Sequence, residues 1–195
     1  MARQREFDVD EVLQRAMGVF WRKGFAGTST DDLLEAMGIG RQSLYNTFGD
    51  KKALYLKTLE VYQDRMIRGH LSRLNGQKSP LKGIKELLTG LFSKDDELRS
   101  MGCMGVGSVA EFGTADPDLI ALWSRASPLL SKRLIERVEE GQSFKEIDPS
   151  IRPEEAAGFV QTLMAGLQIA ARGGADFQQL RKLAMFGVDR LKAEK

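Results

Sequence analysis

Apolar residues recur at intervals of three and four along almost the whole chain, and this spacing limits the fold more than any other feature. The first segment shows it clearly, because six of its apolar residues would share one face of a helix: Val9, Val12, Leu13, Ala16, Met17 and Phe20. No stretch of alternating β-branched residues between turn pairs predicts a strand. The sequence therefore predicts an all-α protein.

Capping residues and glycines divide the N-terminal part into short helices. Asp8 is expected to begin the first helix, with Glu11 completing a capping box, and Gly24 to end it. Ser29 or Thr30 is expected to cap the second. The predicted helices cover residues 8–24, 29–37 and about 41–47, and a long fourth helix begins at Asp50.

The rest of the chain predicts a second helical unit. Helices are expected at residues 81–93, 117–140, 153–172 and 176–193, with Pro128 kinking or splitting the second of these. Residues 102–113, which are rich in small side chains, are expected to be the least regular part. We predict two domains, residues 1–52 and residues 53–195.

Charge and reactive residues exclude several classes of function. The net charge is +2, and residues 1–52 carry eight basic and eight acidic side chains, so DNA binding would require charges segregated on one face. One Cys and one His are too few for structural zinc, and no cofactor is expected. Because neither a membrane span nor a signal peptide is evident, we expect a cytoplasmic protein without a membrane partner.

Residues 28–54 contain two short predicted helices joined by the glycine-containing turn 38–40, which is typical of helix-turn-helix DNA binding. The second of these helices would present its first turns to base edges in the major groove. Arg41 and Gln42 suit bidentate pairing with guanine and adenine, respectively. Ser43, Tyr45 and Asn46 suit hydrogen bonds to phosphates or bases.

Residues 8–56 resemble the N-terminal domain of the TetR family of bacterial regulators. The matching elements are Phe20-Trp21-Arg22-Lys23-Gly24-Phe25, Gly27-Thr28-Ser29, Met37-Gly38-Ile39 and Leu44-Tyr45-Asn46-Thr47-Phe48-Gly49-Asp50-Lys51-Lys52-Ala53-Leu54. The resemblance implies that Thr28, Tyr45 and Lys51 contact the DNA backbone. It also implies that Arg41, Gln42 and Ser43 occupy the base-reading positions, although Gly40 stands where a capping Ser is common.

The resemblance also implies a C-terminal helical domain that binds small molecules and dimerises. We therefore expect a repressor that binds a palindromic double-stranded DNA operator as a homodimer and is released by a small-molecule effector. The alternative is a helical adaptor that binds only proteins. An enzyme using Glu111, Asp116 or Asp118 is not supported, because no phosphate loop, nucleophile elbow or histidine partner accompanies these carboxylates.

The dimer is expected to form through the last two predicted helices, each of which carries a wide apolar stripe rich in small residues. One stripe is Ala156, Val160, Leu163, Leu167 and Ala170, flanked by Ala157, Met164 and Ala171. The other is Phe177, Leu180, Leu183, Ala184, Gly187 and Leu191. The same stripes could instead fill the core of one protomer.

Aromatic and methionine side chains in the second domain would suit a mostly apolar ligand, although ordinary core packing is the more common role for each of them. The candidate ligand contacts are Tyr62, Met66, Leu88, Phe92, Met104, Phe112, Trp123, Met164 and Gln168. The Gly102-Cys103 pair resembles a subgroup of the family in which some members sense electrophiles or oxidants. Cys103 is therefore either a sensor thiol, favoured if it lies at a helix N-terminus, or an inert core residue.

Overall fold

The computed structural model describes residues 7–193, and for residues 126 and 127 it describes the backbone alone. This part of the chain contains ten α-helices: α1 Val9–Lys23, α2 Thr30–Met37, α3 Arg41–Phe48, α4 Lys51–Asn75, α5 Pro80–Thr89, α6 Asp96–Ser100, α7 Met104–Phe112, α8 Pro117–Ser143, α9 Pro153–Arg172 and α10 Phe177–Asp189. The β pairing within residues 7–193 is one isolated antiparallel bridge between Ile147 and Lys192. The predicted all-α class is confirmed.

Most helices begin at the predicted caps. The Asp8 carboxylate accepts hydrogen bonds from the backbone N–H groups of Asp10 and Glu11. The predicted capping box at α1 is wrong, because the Glu11 side chain pairs with Arg15 one turn along the helix. The capping box lies at α2, where Ser29 and Asp32 exchange side-chain and backbone hydrogen bonds.

The structure differs from the predicted helices in several places, and for α7 and α8 the cause is tertiary packing. Residues 102–113 contain a regular helix, α7, because Met104 and Ser108 are buried and tertiary packing overcomes the low helix propensity of its glycines. α8 continues through Pro128 as one helix, since a proline removes one backbone donor and α8 packs against both α4 and α9. α5 ends at Thr89 rather than at residue 93, and the short α6 carried no clear periodicity.

Two hydrophobic cores organise the helices. The N-terminal core is formed by α1–α3, by Leu54, Tyr55, Leu59 and Tyr62 of α4, and by Met104 and Leu119 from α7 and α8. The C-terminal core is formed by α5, α8, α9 and α10 around Leu74 at the other end of α4. α4 therefore contributes to both cores, and the boundary predicted between residues 52 and 53 stays a prediction.

α4 and α5 approach each other closely. Gly83 of α5 lies against the carbonyl oxygen of Leu74, and a Cβ atom at Gly83 would collide with that oxygen. A second close approach joins α9 to α10, where a Cβ atom at Gly187 would meet the Leu163 side chain. Among the helices of residues 7–193, none is long and apolar enough to span a membrane.

Candidate functional site

α3 has one apolar face and one polar face. Leu44 and Phe48 are 1% and 4% exposed and anchor the helix in the N-terminal core. Arg41, Gln42, Tyr45 and Asn46 are exposed together on the opposite side, and Ser43 is half-buried between the two faces. Gly40 precedes the helix without a side-chain cap, as its lack of a side chain predicts. The structure therefore gathers the predicted base-reading residues on one surface.

Two polar contacts orient side chains of this surface. Arg41 forms an ion pair with Asp31 of α2, with 2.7 Å between Nη2 and Oδ1, and both side chains are exposed. Gln42 donates from Nε2 to Oδ1 of Asn46 across 2.9 Å. Because an exposed ion pair is weak, the guanidinium can exchange Asp31 for another acceptor.

The other two predicted backbone contacts occupy different environments. Thr28 is 2% exposed, and its hydroxyl donates to the carbonyl oxygen of Gly24 across 2.6 Å. Its side chain therefore closes the turn after α1 rather than facing outward, and we leave it out of the proposed DNA contacts. Lys51 lies at the start of α4 with Nζ 4.3 Å from the centre of the Phe25 ring.

A cleft of about 300 Å³ opens between α4, α7, α8 and α9. It brings together five of the nine predicted ligand contacts, namely Tyr62, Met66, Trp123, Met164 and Gln168, and also Cys103. Trp123 donates from Nε1 to the Ser108 hydroxyl across 3.2 Å, which fixes its indole in the wall of the cleft.

The other four predicted contacts lie elsewhere. Leu88 is fully buried in the C-terminal core, and Phe92 packs edge-to-face on Phe177 with ring centres 5.7 Å apart. Phe112 packs on Phe25, where α7 meets the N-terminal core, with ring centres 5.2 Å apart. Met104 lies in the N-terminal core and lines a second cavity, of about 430 Å³, near the end of α1. The composition that suggested these residues does not distinguish core positions from cleft positions.

Several residues of the cleft were missed, although helical spacing could have found them. His70 and Gln63 lie on the face of α4 that carries Tyr62 and Met66. Gln161 lies on the face of α9 that carries Met164 and Gln168. Each lies three, four or seven residues from a predicted residue that lines the cleft.

His70 is a buried base in the wall of the cleft. It is 9% exposed, and its Nδ1 atom has no hydrogen-bond partner within the described residues. Burial, assisted by the nearby Arg73 charge, lowers the pKa of His70 from 6.5 to about 4. The imidazole is therefore neutral at pH 7.

Cys103 lies at the N-cap position of α7, half-buried, and lines both the cleft and the second cavity. Its thiol is adjacent to the phenol of Tyr62. Burial raises the pKa of Tyr62, and the neighbouring Cys103 raises it further, so the phenol stays protonated. Cys103 therefore meets the condition set for a sensor thiol, a position at a helix N-terminus, while its role as a sensor stays a prediction.

α7 is joined to the turn after α1 by a carboxylate clamp. Glu111, near the end of α7, accepts hydrogen bonds from the backbone N–H groups of Phe25 and Ala26 across 2.9 and 3.1 Å. Gly24 allows this approach, because a Cβ atom there would lie 2.8 Å from the Glu111 carboxylate. We weighed Glu111 as a catalytic acid from sequence, and its carboxylate instead joins α7 to the turn after α1.

Further polar contacts join the end of α1 to α9 and to the segment that precedes α7. Arg172 of α9 donates from Nη1 to the carbonyl oxygens of Trp21 and Met101 across 3.2 and 2.9 Å. Trp21 in turn donates from Nε1 to the carbonyl oxygen of Gly102 across 3.1 Å.

Lys52 of α4 binds two carboxylates at the start of α8, Asp116 at 2.8 Å and Asp118 at 3.0 Å. Hydrogen bonding to Lys52 lowers the pKa of Asp116, and the two carboxylates raise the pKa of Lys52. Asp116 and Asp118 were also weighed as acid–base residues, and here they serve an ion pair between helices. Within the described part of the chain, no group of three or more His, Cys, Asp and Glu side chains could hold a metal ion.

The exposed face of α9 and α10 is formed mostly by residues outside the two stripes predicted to form the dimer. Most residues of those stripes are buried in the C-terminal core of the protomer, including Ala156, Val160, Leu167, Leu180, Ala184 and Leu191. The exposed apolar residues on these helices are Phe159, Ile169, Leu183 and Phe186, which are 40%, 60%, 45% and 61% exposed. Leu183 alone among these four belonged to a predicted stripe.

The chain is similar to known DNA-binding regulators. The family model described as "Bacterial regulatory proteins, tetR family" matches residues 12–58. The uncharacterized HTH-type transcriptional regulator YezE of Bacillus subtilis is 36% identical over 131 residues, which cover 67% of this chain and 68% of that protein. The HTH-type transcriptional repressor ComR of Escherichia coli is 27% identical over 186 residues, covering 93% and 88%.

A solved structure shares the whole fold. It is a cysteine mutant of the TetR family transcriptional regulator CifR, complexed with 26-base-pair double-strand operator DNA. The sequences are 30% identical, the match covers 97% of this chain and 100% of that one, and the TM-score is 0.79.

Replacing Glu111 by Ala should loosen the turn after α1. The N–H groups of Phe25 and Ala26 lose a charged acceptor, so their hydrogen exchange, measured by NMR, should accelerate at least about tenfold. Glu155→Ala removes an exposed carboxylate on α9 and should leave these two amides unchanged. Equal exchange in Glu111→Ala and the parent protein would show that the clamp contributes nothing.

The pKa of His70 predicts a pH dependence of stability. Between pH 6.5 and about 4, the unfolded chain binds a proton that the folded chain does not bind, so the free energy of unfolding should decrease as the pH falls through this range. His70→Leu should lack this part of the decrease in urea unfolding at pH 7.5 and pH 5. Because the chain has one His, its imidazole proton signals can be titrated directly by NMR. A midpoint at or above 6.5 would contradict the expectation.

Proposed function

The chain belongs to the TetR family of bacterial regulatory proteins, and from this premise we propose that it is a transcriptional repressor that binds operator DNA as a homodimer and is released by a small molecule. The observation that carries the proposal is α3, a short helix with an apolar anchor and a surface of exposed polar side chains. A repressor among its relatives and operator DNA bound to a protein of the same fold support it. Such a protein would act in the cytoplasm, where its DNA lies.

We propose specific roles for the residues of this surface. Arg41 and Gln42 read base edges after exchanging Asp31 and Asn46 for bases, and Ser43 reads at the margin of the same surface. Tyr45, which is 45% exposed, and Asn46 hydrogen-bond to phosphates or bases. Lys51 supplies a further positive charge to the backbone from the start of α4.

We propose that the dimer forms through the outer face of α9 and α10. α9 has no charged side chain between Glu155 and Arg172, and its exposed face there consists of small or apolar residues around Phe159 and Ile169. Leu183 and Phe186 extend this surface on α10. A contiguous apolar surface on two helices is the type of interface found in four-helix bundles.

α7 supplies the route from ligand to DNA. Its N-terminal residues line the cleft, and Glu111, about 12 Å further along the helix, holds the turn that precedes α2. A ligand that binds one position of α7 more tightly than another would therefore move this turn. The recognition helix of each protomer, α3, would then shift. Operator half-sites require these helices about 34–36 Å apart, so such a shift would weaken binding.

Selection from random double-stranded DNA tests the function. We expect a palindromic site whose affinity falls steeply with salt, and about a tenfold or larger loss of affinity in Arg41→Ala and Tyr45→Ala. Asp31→Asn should bind about two- to fivefold more tightly, because it frees Arg41 and removes a negative charge next to DNA. Arg68→Ala, on the exposed part of α4, should bind as the parent protein does.

A lack of enrichment over non-specific binding at low salt would overturn the repressor proposal. The helical adaptor that binds only proteins would then be the better explanation of the fold.

Charge placed on the outer face of α10 tests the dimer. Phe186→Asp should convert the protein to a monomer in sedimentation velocity experiments, because an unpaired carboxylate would be buried in the interface. Leu129→Asp introduces the same charge at a similarly exposed residue of α8, next to a groove shared with α4, and should remain dimeric. A dimeric Phe186→Asp protein would place the interface elsewhere.

A further inference from the structure

No Asp, Glu, Lys or Arg side chain lines the cleft that would receive the small molecule. Its surface is formed largely by apolar side chains such as Met66, Leu130 and Met164, together with the ring of Trp123. The imidazole of His70 is neutral at pH 7, and the phenol of Tyr62 stays protonated. A ligand with a net charge would lose its hydration here without gaining an opposite charge, which is costly.

Polar recognition in the cleft comes from amide and imidazole groups. Gln168 of α9 is 7% exposed, and its amide is oriented by donation from Nε2 to the carbonyl oxygen of Leu91 across 2.7 Å. This bond uses one of the two amide N–H donors and holds Oε1 of the same group in place as a hydrogen-bond acceptor. Gln168 is therefore a fixed polar group in a largely apolar wall.

His70 of α4 is the second buried polar group that contributes to the cleft. It is more than nine-tenths buried, and its Nδ1 atom has no hydrogen-bond partner among the described residues. Leaving a buried polar atom unpaired destabilises the protein, so a ligand that supplies a partner gains affinity. A neutral imidazole has one donor and one acceptor nitrogen, and a hydroxyl group can bond to either.

We propose that the cleft selects uncharged, largely apolar alcohols or phenols, whose hydroxyl donates to Oε1 of Gln168 and hydrogen-bonds to the His70 imidazole. This inference rests on the proposed ligand-controlled repressor, because it names the chemical class of the effector. The volume of about 300 Å³ suits a small ligand, such as a molecule with one or two rings. Carboxylates and hydrocarbons of the same shape should bind more weakly, for different reasons.

Two matched sets of probes test this selectivity by equilibrium dialysis of the full chain at pH 7.5. One set is 2-naphthol, 2-methylnaphthalene and 2-naphthoate, and the other is 4-tert-butylphenol, 4-tert-butyltoluene and 4-tert-butylbenzoate. In at least one set, we expect the phenol to bind about fivefold more tightly than the hydrocarbon, through its hydrogen bonds. The phenol should also bind at least about tenfold more tightly than the carboxylate, because of the uncharged wall.

Variants at the two polar groups connect the selectivity to the structure. His70→Leu and Gln168→Met should each reduce the preference for the phenol over the hydrocarbon to about twofold or less. Gln142→Met is the matched control, because Gln142 also donates from Nε2 to backbone carbonyl oxygens, those of Asp148 and Ile151, but does not line the cleft. It should keep the full preference. If Gln168→Met fails to fold, the preference for the phenol is tested with His70→Leu alone.

The outcomes separate this inference from the proposed function, since dialysis contains no DNA. A preference for the carboxylate, equal binding of phenol and hydrocarbon, an unchanged preference in His70→Leu, or no binding in either set would overturn the inference, even if the protein selects an operator. A phenol preference that depends on His70, in a protein that selects no DNA, would support the cleft chemistry and overturn the repressor proposal. Where both hold, the bound phenol should weaken operator binding.

Discussion

α4 is buried at both of its ends, in two different hydrophobic cores. Tyr55 and Leu59 pack against the helix-turn-helix, whereas Leu74 is surrounded by α5 and the C-terminal helices. Its 25 residues form one helix without a break. Because a continuous helix transmits rotation and translation along its length, the orientation of α3 depends on how the far end of α4 is packed. The cleft is built against the middle of this helix, between the two cores.

Polar contacts join α1, the turn after it and the start of α4 to α7, α8 and α9. Glu111 binds two backbone N–H groups, Arg172 binds backbone carbonyl oxygens, and Lys52 binds carboxylates of α8. Such bonds are directional and lie near the surface, where water can replace them, so they open at lower cost than apolar packing.

The cleft combines an uncharged wall with a few fixed polar groups. Its neutrality depends on burial, since burial lowers the pKa of His70 and raises that of Tyr62. The same desolvation that excludes charged ligands strengthens each hydrogen bond to Gln168 or His70. Specificity for a ligand therefore depends on two features: the wall carries no charge that could neutralise a charged ligand, and Gln168 and His70 can form hydrogen bonds.

The helices themselves were largely predictable, because local signals determine them. Apolar spacing, the capping residues Ser29, Asp50 and Asp116, and the glycines after α1 and α2 placed most helices within a few residues of their observed bounds. The signals failed where tertiary packing opposed them, as in glycine-rich α7, and where a proline lies within a long packed helix. The polar surface of α3 was predictable too, since its residues lie next to each other in sequence.

Only the tertiary structure decided which apolar residues form the core, the cleft or an outer surface. Leu88, Met164 and Phe186 have the same chemical character in sequence, yet one is in a core, one lines the cleft and one faces outward. The clamp between Glu111 and the turn after α1 joins residues 86 positions apart, and no local pattern encodes such a contact. The sequence by itself determined the helices and the polar surface of α3, because neighbouring residues produce them. Long-range packing determined the cleft, the neutral His70 and the contacts that join α1 and the turn after it to α7 and α9, because these depend on which helix faces meet.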